Sequence, residues 1–173
     1  MKRCILIGLS ILLSINIVKS QQISDVASGQ AMFIYHFTKI IDWPIERKMS
    51  DFVIGVLGTD DIYGALINYT KQKRVAGQDI VIKRFNKLTE VPDDCHMLII
   101  TSRHKNDMPT IAQKLESSNT LLISNNNGAI QQGAAINLIL IEDKIKYEVN
   151  SSVLQKHNLK YTSALETMAH KKY

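Results

Sequence analysis

"FVIGVLGTDDIYGALINYTKQK", residues 52–73, decides how the chain folds. Its first part, "FVIGVLG" (52–58), is a short, β-branched, apolar run with no alternation, closed by Gly58. That pattern reads as a strand buried on both faces. Its second part, "DDIYGALINYTKQK" (60–73), reads as a helix opened by an aspartate. The same unit recurs downstream. "QDIVIKRF" (78–85) and "CHMLIITS" (95–102) read as strands, the second of them buried. "MPTIAQKLES" (108–117) reads as a helix with Pro109 in its first turn, and "TLLIS" (120–124) as a strand. "NNNGAIQQG" reads as a loop with one helical turn, and "AAINLILIE" with "KIKYEV" as an antiparallel hairpin. Strands separated by helices predict an α/β layered sandwich. It has a largely parallel central sheet, a C-terminal antiparallel hairpin and flanking helices. Two capping signals follow. Asn150 stands before "SSVLQKH", and Ser163 precedes Glu166 by three, a capping box.

Upstream, "SDVASGQAMFIYHFTKII" (24–41) carries the helical period. Ala27, Ala31, Ile34 and Ile41 share one side, Phe33, Phe37 and Ile40 widen it, and Asp25, Ser28, His36 and Lys39 form the wet stripe. Pro44 drives Trp43 out of helical geometry and ends the run. The first residues differ. A basic head, Met1-Lys2-Arg3, precedes 14 uncharged residues (5–18), then Lys19 and a small Ser20. This reads as a signal peptide over 1–20, the apolar run being shorter than the ~20 residues that span a bilayer. The expected mature part is one domain, 21–173. The full chain carries +5, but removing Lys2, Arg3 and Lys19 leaves 18 basic against 16 acidic residues. A net of +2 in an exported protein argues against nucleic acid as a partner. Cys95 is the one cysteine left, in an apolar run, and reads as a buried, inert thiol.

The sequence carries no recognisable catalytic, metal or nucleotide-binding constellation. The glycines at 55, 58 and 64 lack dinucleotide-loop and phosphate-loop spacing, and Gly58 and Gly64 read as serving a tight turn and close packing. The five histidines never recur at i, i+4, so no metal site is expected. Cys95 and His96, neighbours on a strand, point to opposite faces and cannot form a dyad. The close carboxylate pairs fall in turns, and no nucleophile elbow occurs. The reading is a non-enzyme with no cofactor. One cluster remains. In a parallel sheet, ligands collect at the carboxyl ends of the strands. Asp60, Ser102, Arg103, Ser124 and Asn125 fall there, enough for a small anion or polar ligand, although loops at strand ends are polar in any case.

Four stretches in order resemble one family. They are "AMFIYHFTKIIDWP", "VIGVLGTDDIYGAL", "CHMLIITS" and "GAAINLILIEDKIKYEVNSSVLQKHNLKYTSALETMA", together spanning about Ala27 to Ala169. Their spacing is similar to that of the YfiR-like bacterial periplasmic regulators. The resemblance implies a non-enzymatic periplasmic protein. It would bind and repress the periplasmic sensor region of an inner-membrane signalling protein, a diguanylate cyclase controlling cyclic-di-GMP and biofilm. The competing class is a periplasmic small-ligand receptor feeding a membrane sensor kinase. A homodimer is compatible with either. Two departures stand out: a hairpin turn read at Asp143-Lys144 where Asp-Gly is usual, and Cys95 alone where members carry paired cysteines. A redox-switched form of the regulation is therefore not implied. His36 and Lys39 on the wet stripe form a candidate partner edge.

Overall fold

The computed structural model describes residues 25–58 and 61–173. The signal-peptide reading and Asp60 lie outside them. Helix α1 covers 25–40. It runs straight into β1 (Ile41–Asp42), which pairs antiparallel with β9 (Lys160–Tyr161) as a separate two-stranded sheet.

The main sheet has eight strands in the order β10-β8-β7-β6-β5-β2-β4-β3. Its parallel part is β7 (Ile136–Ile141), β6 (Leu121–Ser124), β5 (Met97–Ile100), β2 (Phe52–Leu57) and β4 (Gln78–Phe85). Antiparallel strands close both sides: β8 (Lys144–Val149) on β7, and β3 (Arg74–Val75) on β4. β10 (Lys171–Lys172) adds a short parallel edge on β8.

Alternation along each strand builds two cores. Phe52, Ile54, Val56, Met97, Ile99, Leu121 and Ile123 face the side covered by α1, α2 (Ile62–Thr70), α4 (Ser151–Lys156) and α5 (Ala164–Thr167). Val53, Leu57, Leu98, Ile100 and Leu122 face the side covered by α3 (Met108–Lys114). The expected layered sandwich is therefore what forms. All six residues of β2 are buried, because it lies in mid-sheet between two helical layers. Cys95 and His96 lie just before β5, which is shorter than the strand read over 95–102, and still fall on opposite faces: Cys95 belongs to the second core, while His96 stacks on Phe52 of the first.

Four local readings change. The hairpin turn is Glu142-Asp143, with φ of 49° and 57°, one residue earlier than read; two left-handed residues match the strand twist. Ser163 makes no capping hydrogen bond, because Glu166 instead accepts from Ser151 (2.5 Å) and Tyr161 (2.9 Å) and so ties α4, β9 and α5 together. Asp61 occupies the N-cap of α2 without a side-chain bond. A Cβ on Gly64 would meet open space, so close packing does not explain that glycine. Asn150, by contrast, caps α4 as expected, accepting from the backbone of Ser152 and Val153.

Candidate functional site

The sheet order reverses at β2. β4 lies on one side of it and β5 on the other, with α2 crossing on one face and α3 on the opposite one. The crevice at the carboxyl ends of β2 and β5 is where a ligand would sit in such a sheet. Gly58 follows β2 with φ of 106°, and a Cβ there would collide with the Thr101 hydroxyl. Its amide donates to the Phe85 carbonyl at 2.8 Å. Thr101 donates to the Leu57 carbonyl from both its amide (3.2 Å) and its hydroxyl (3.0 Å). The crevice is thus drawn shut by bonds between strand ends.

The cluster read from sequence converges in part. Register Ile100↔Ser124 places Ser102-Arg103 and Ser124-Asn125 at one end of adjacent parallel strands. Ser102 and Arg103 are exposed and open a 3-10 turn, Ser102–Asp107. Ser124 is fully buried, and its hydroxyl donates to the Ile100 carbonyl at 3.2 Å. Asn125 is half-buried. The neighbouring Asn126 bridges these ends, its amide nitrogen donating to the Ile100 carbonyl (3.2 Å) and to the Ser124 hydroxyl (2.9 Å). Asn126, the second of three consecutive asparagines, lies at the same strand end but outside the cluster read from sequence, because composition does not separate a bridging asparagine from a solvated one.

The Trp43 stretch is core. Trp43 is 4% exposed, packs edge-on against Phe52 at 4.9 Å, and donates from its indole to the His96 carbonyl at 3.1 Å. His96 is itself buried and committed. Its Nδ1 accepts from the Val53 amide (3.1 Å), so its proton is on Nε2, which donates to the Arg47 carbonyl (2.6 Å). Burial holds its pKa below the ordinary value.

The candidate partner edge divides. His36 is half-buried, with a buried Nε2 that has no hydrogen-bond partner among the described residues. Lys39 is exposed and donates to the Arg74 carbonyl at 3.1 Å, reaching β3. Around it lies an aromatic and basic patch that sequence spacing does not reveal. Lys39 stands 4.7 Å over the Tyr35 ring, and Lys73 stands 3.2 Å over Tyr69 and 4.8 Å over Tyr35. Beside the patch, a groove of about 400 Å³ opens between the end of α2, β3 and β4. Its floor is Ile67, Ile80 and Ile82, and its rim carries Lys71, Lys73 and Arg74. Asp79, the acid at this groove, is held by Arg74 at 2.7 Å. That bond keeps the carboxyl below its usual range.

Among the described residues no group of three or more His, Cys, Asp or Glu could hold a metal, and no helix is long and apolar enough to cross a membrane.

Comparison with known proteins gives a family and a fold. The model of the YfiR/HmsC-like family matches residues 27–170. No curated protein matches the chain by sequence. Among solved structures, a conserved domain protein from Vibrio cholerae superposes with a TM-score of 0.51 at 10% identity, covering 70% of this chain and 54% of that one. The ABC domain in complex with L-Trp from Streptococcus pneumonia gives 0.53 at 10% identity, covering 70% and 55%. The chain thus spans about half the length of each, and the likeness is one of fold.

Proposed function

The chain belongs to the YfiR/HmsC-like family, and from that premise we propose that it represses an inner-membrane signalling protein by binding its periplasmic sensor region. The family is a periplasmic, regulatory one. The observation that carries the proposal is the extent of the match, residues 27–170, which takes in both cores and every described strand but the edge strand β10. The proposed target is a diguanylate cyclase, so that repression lowers cyclic-di-GMP and biofilm. Binding alone suffices, without catalysis. A repressor needs only to bind the inactive state of its target better than the active one. Moving that balance from mostly on to mostly off takes about 5 kcal/mol of differential affinity. An ordinary interface of roughly 1,600 Å² can supply it.

Crosslinking in intact cells, followed by purification of the tagged protein, tests the proposal. A membrane cyclase should be recovered. Recovery of a sensor kinase would keep the binding class and change the target; recovery of no membrane protein would remove the reading.

The second reading is a small-ligand receptor. It is favoured by exposed Ser102 and Arg103 beside Ser124 and Asn125 at the carboxyl ends of β5 and β6, next to the reversal of the sheet, with Asp60 as the fifth residue of the sequence reading. The Streptococcus pneumonia domain of similar fold is described in complex with L-Trp. Native mass spectrometry of the purified protein should then show a retained ligand that Arg103→Ala abolishes. Both readings hold together where the ligand binds the two states of the repressor unequally.

A further inference from the structure

We propose that the outer edge of β4 is a docking strand for an extended, acidic segment of a partner protein. The inference rests on the regulator reading for the kind of partner, and on the geometry of β4 for the place.

β4 has eight residues, more than any other strand among those described. β2 pairs with it over Ile80–Phe85, residue for residue and without a bulge. On the other side β3 reaches only Gln78 and Asp79. Among the described residues, Ile80 to Phe85 therefore face outward with no strand beside them. The parity is fixed. The Phe85 carbonyl accepts from Gly58, on the β2 side, so Val81, Lys83 and Phe85 direct their backbone groups inward. Ile80, Ile82 and Arg84 direct theirs outward. That is a ready template of donors and acceptors for an added strand.

Edges of this kind are normally blunted by proline, a bulge, short length or charge. β4 has no proline and no bulge. Ile80, Val81 and Ile82 are half-exposed on it. Its exposed basic charges, Lys83 and Arg84, guard it against another basic edge and not against an acidic strand; the Arg84 guanidinium lies over the Tyr63 ring of α2 at 5.3 Å. The groove beside the edge fits the side chains of an added strand. Ile67, Ile80 and Ile82 offer an apolar floor to every second residue, and the rim is basic.

Charge selects the occupant. Lys71 and Lys73 crowd one end of the edge and Lys83 and Arg84 the other, while Arg74 and Asp79 offset each other. A strand with acidic ends and an apolar middle is complementary to the edge. A second copy is not: antiparallel pairing would set Lys83 and Arg84 of one strand against the Lys73-Arg74 end of the other, base against base.

The test uses the mature protein and an end-capped octapeptide of alternating Glu and Val, with its Lys/Val counterpart as control. Amide exchange read by NMR should slow at Ile80, Ile82 and Arg84 on adding the acidic peptide, and not with the basic one. The paired substitution Lys73→Glu and Lys83→Glu should weaken acidic-peptide binding by about tenfold or more, as reversing rim charges does. Ile82→Pro removes an outward N–H and should abolish binding; if it fails to fold, the charge-reversed protein, altered only on its surface, decides. Equal binding of both peptides, no slowing at the three amides, or a folded Ile82→Pro protein that binds unchanged would overturn the proposal. So would a dimer in sedimentation that Ile82→Pro disperses, since a second copy would then own the edge. In cells, a crosslinked membrane partner retained by both variants places docking elsewhere and leaves the regulator reading standing. Loss of all crosslinks in the wild type removes that reading, and the peptide result alone decides the edge.

Discussion

Trp43 and His96 are joined twice: the indole N–H donates to the His96 carbonyl at 3.1 Å, and the two rings meet edge-on with centroids 6.1 Å apart. His96 also stacks on Phe52 at 4.4 Å, so one aromatic cluster pins the exit of α1 to the centre of the sheet. The Trp-Pro ending of the first helix is thereby a packing device. Trp43→Ala should destabilise the fold by ~3 kcal/mol or more, since it leaves a cavity against Phe52 and removes one of the two donors to the His96 carbonyl, the other being the Leu121 amide. A urea melt measures this. A midpoint equal to that of the wild type would contradict the packing role.

The same cluster makes stability depend on pH. Burial lowers the pKa of His96 below 6.5, and burial does the same at His157. In the folded state Nδ1 of His96 already accepts from the Val53 amide, so a second ring proton would break that bond. The unfolded chain, with ordinary histidines, takes up protons first as the pH falls. The contribution is therefore fully present above 6.5 and is lost as pH drops from there through the folded-state values. Urea midpoints should fall between pH 7.5 and pH 5, and His96→Gln, which titrates nothing, should flatten part of that slope. A midpoint that rises on acidification would have the wrong sign.

Cys95 should be slow to react. It is fully buried, and burial pushes its thiol up to about 11, leaving almost no thiolate at neutral pH. Thiol-reagent labelling of the folded protein should be slow and should accelerate in urea. Fast native labelling, or a dimer linked through Cys95, would show the thiol reachable.

The parallel sheet was legible because buried strands such as 52–57, 97–100 and 121–124 are uninterrupted apolar runs. The two-residue strands β1, β3, β9 and β10 were not, since two residues carry no period. The capping box at Ser163 failed for a tertiary reason, the claim that Ser151 and Tyr161 make on Glu166. The strand-end cluster could be placed from topology alone, which brings Arg103 and Asn125 to one end of the sheet. The Lys39–Arg74 patch could not, because its contact spans 35 positions. Such pairings exist only once α1 has docked beside β3.

Cellular cyclic-di-GMP, measured in a strain lacking this protein and again after the gene is restored, tests the repressor account most directly. The account predicts that the nucleotide rises on deletion, with biofilm following it, and returns to the starting level on restoration. An unchanged level in the deletion strain would contradict repression of a diguanylate cyclase.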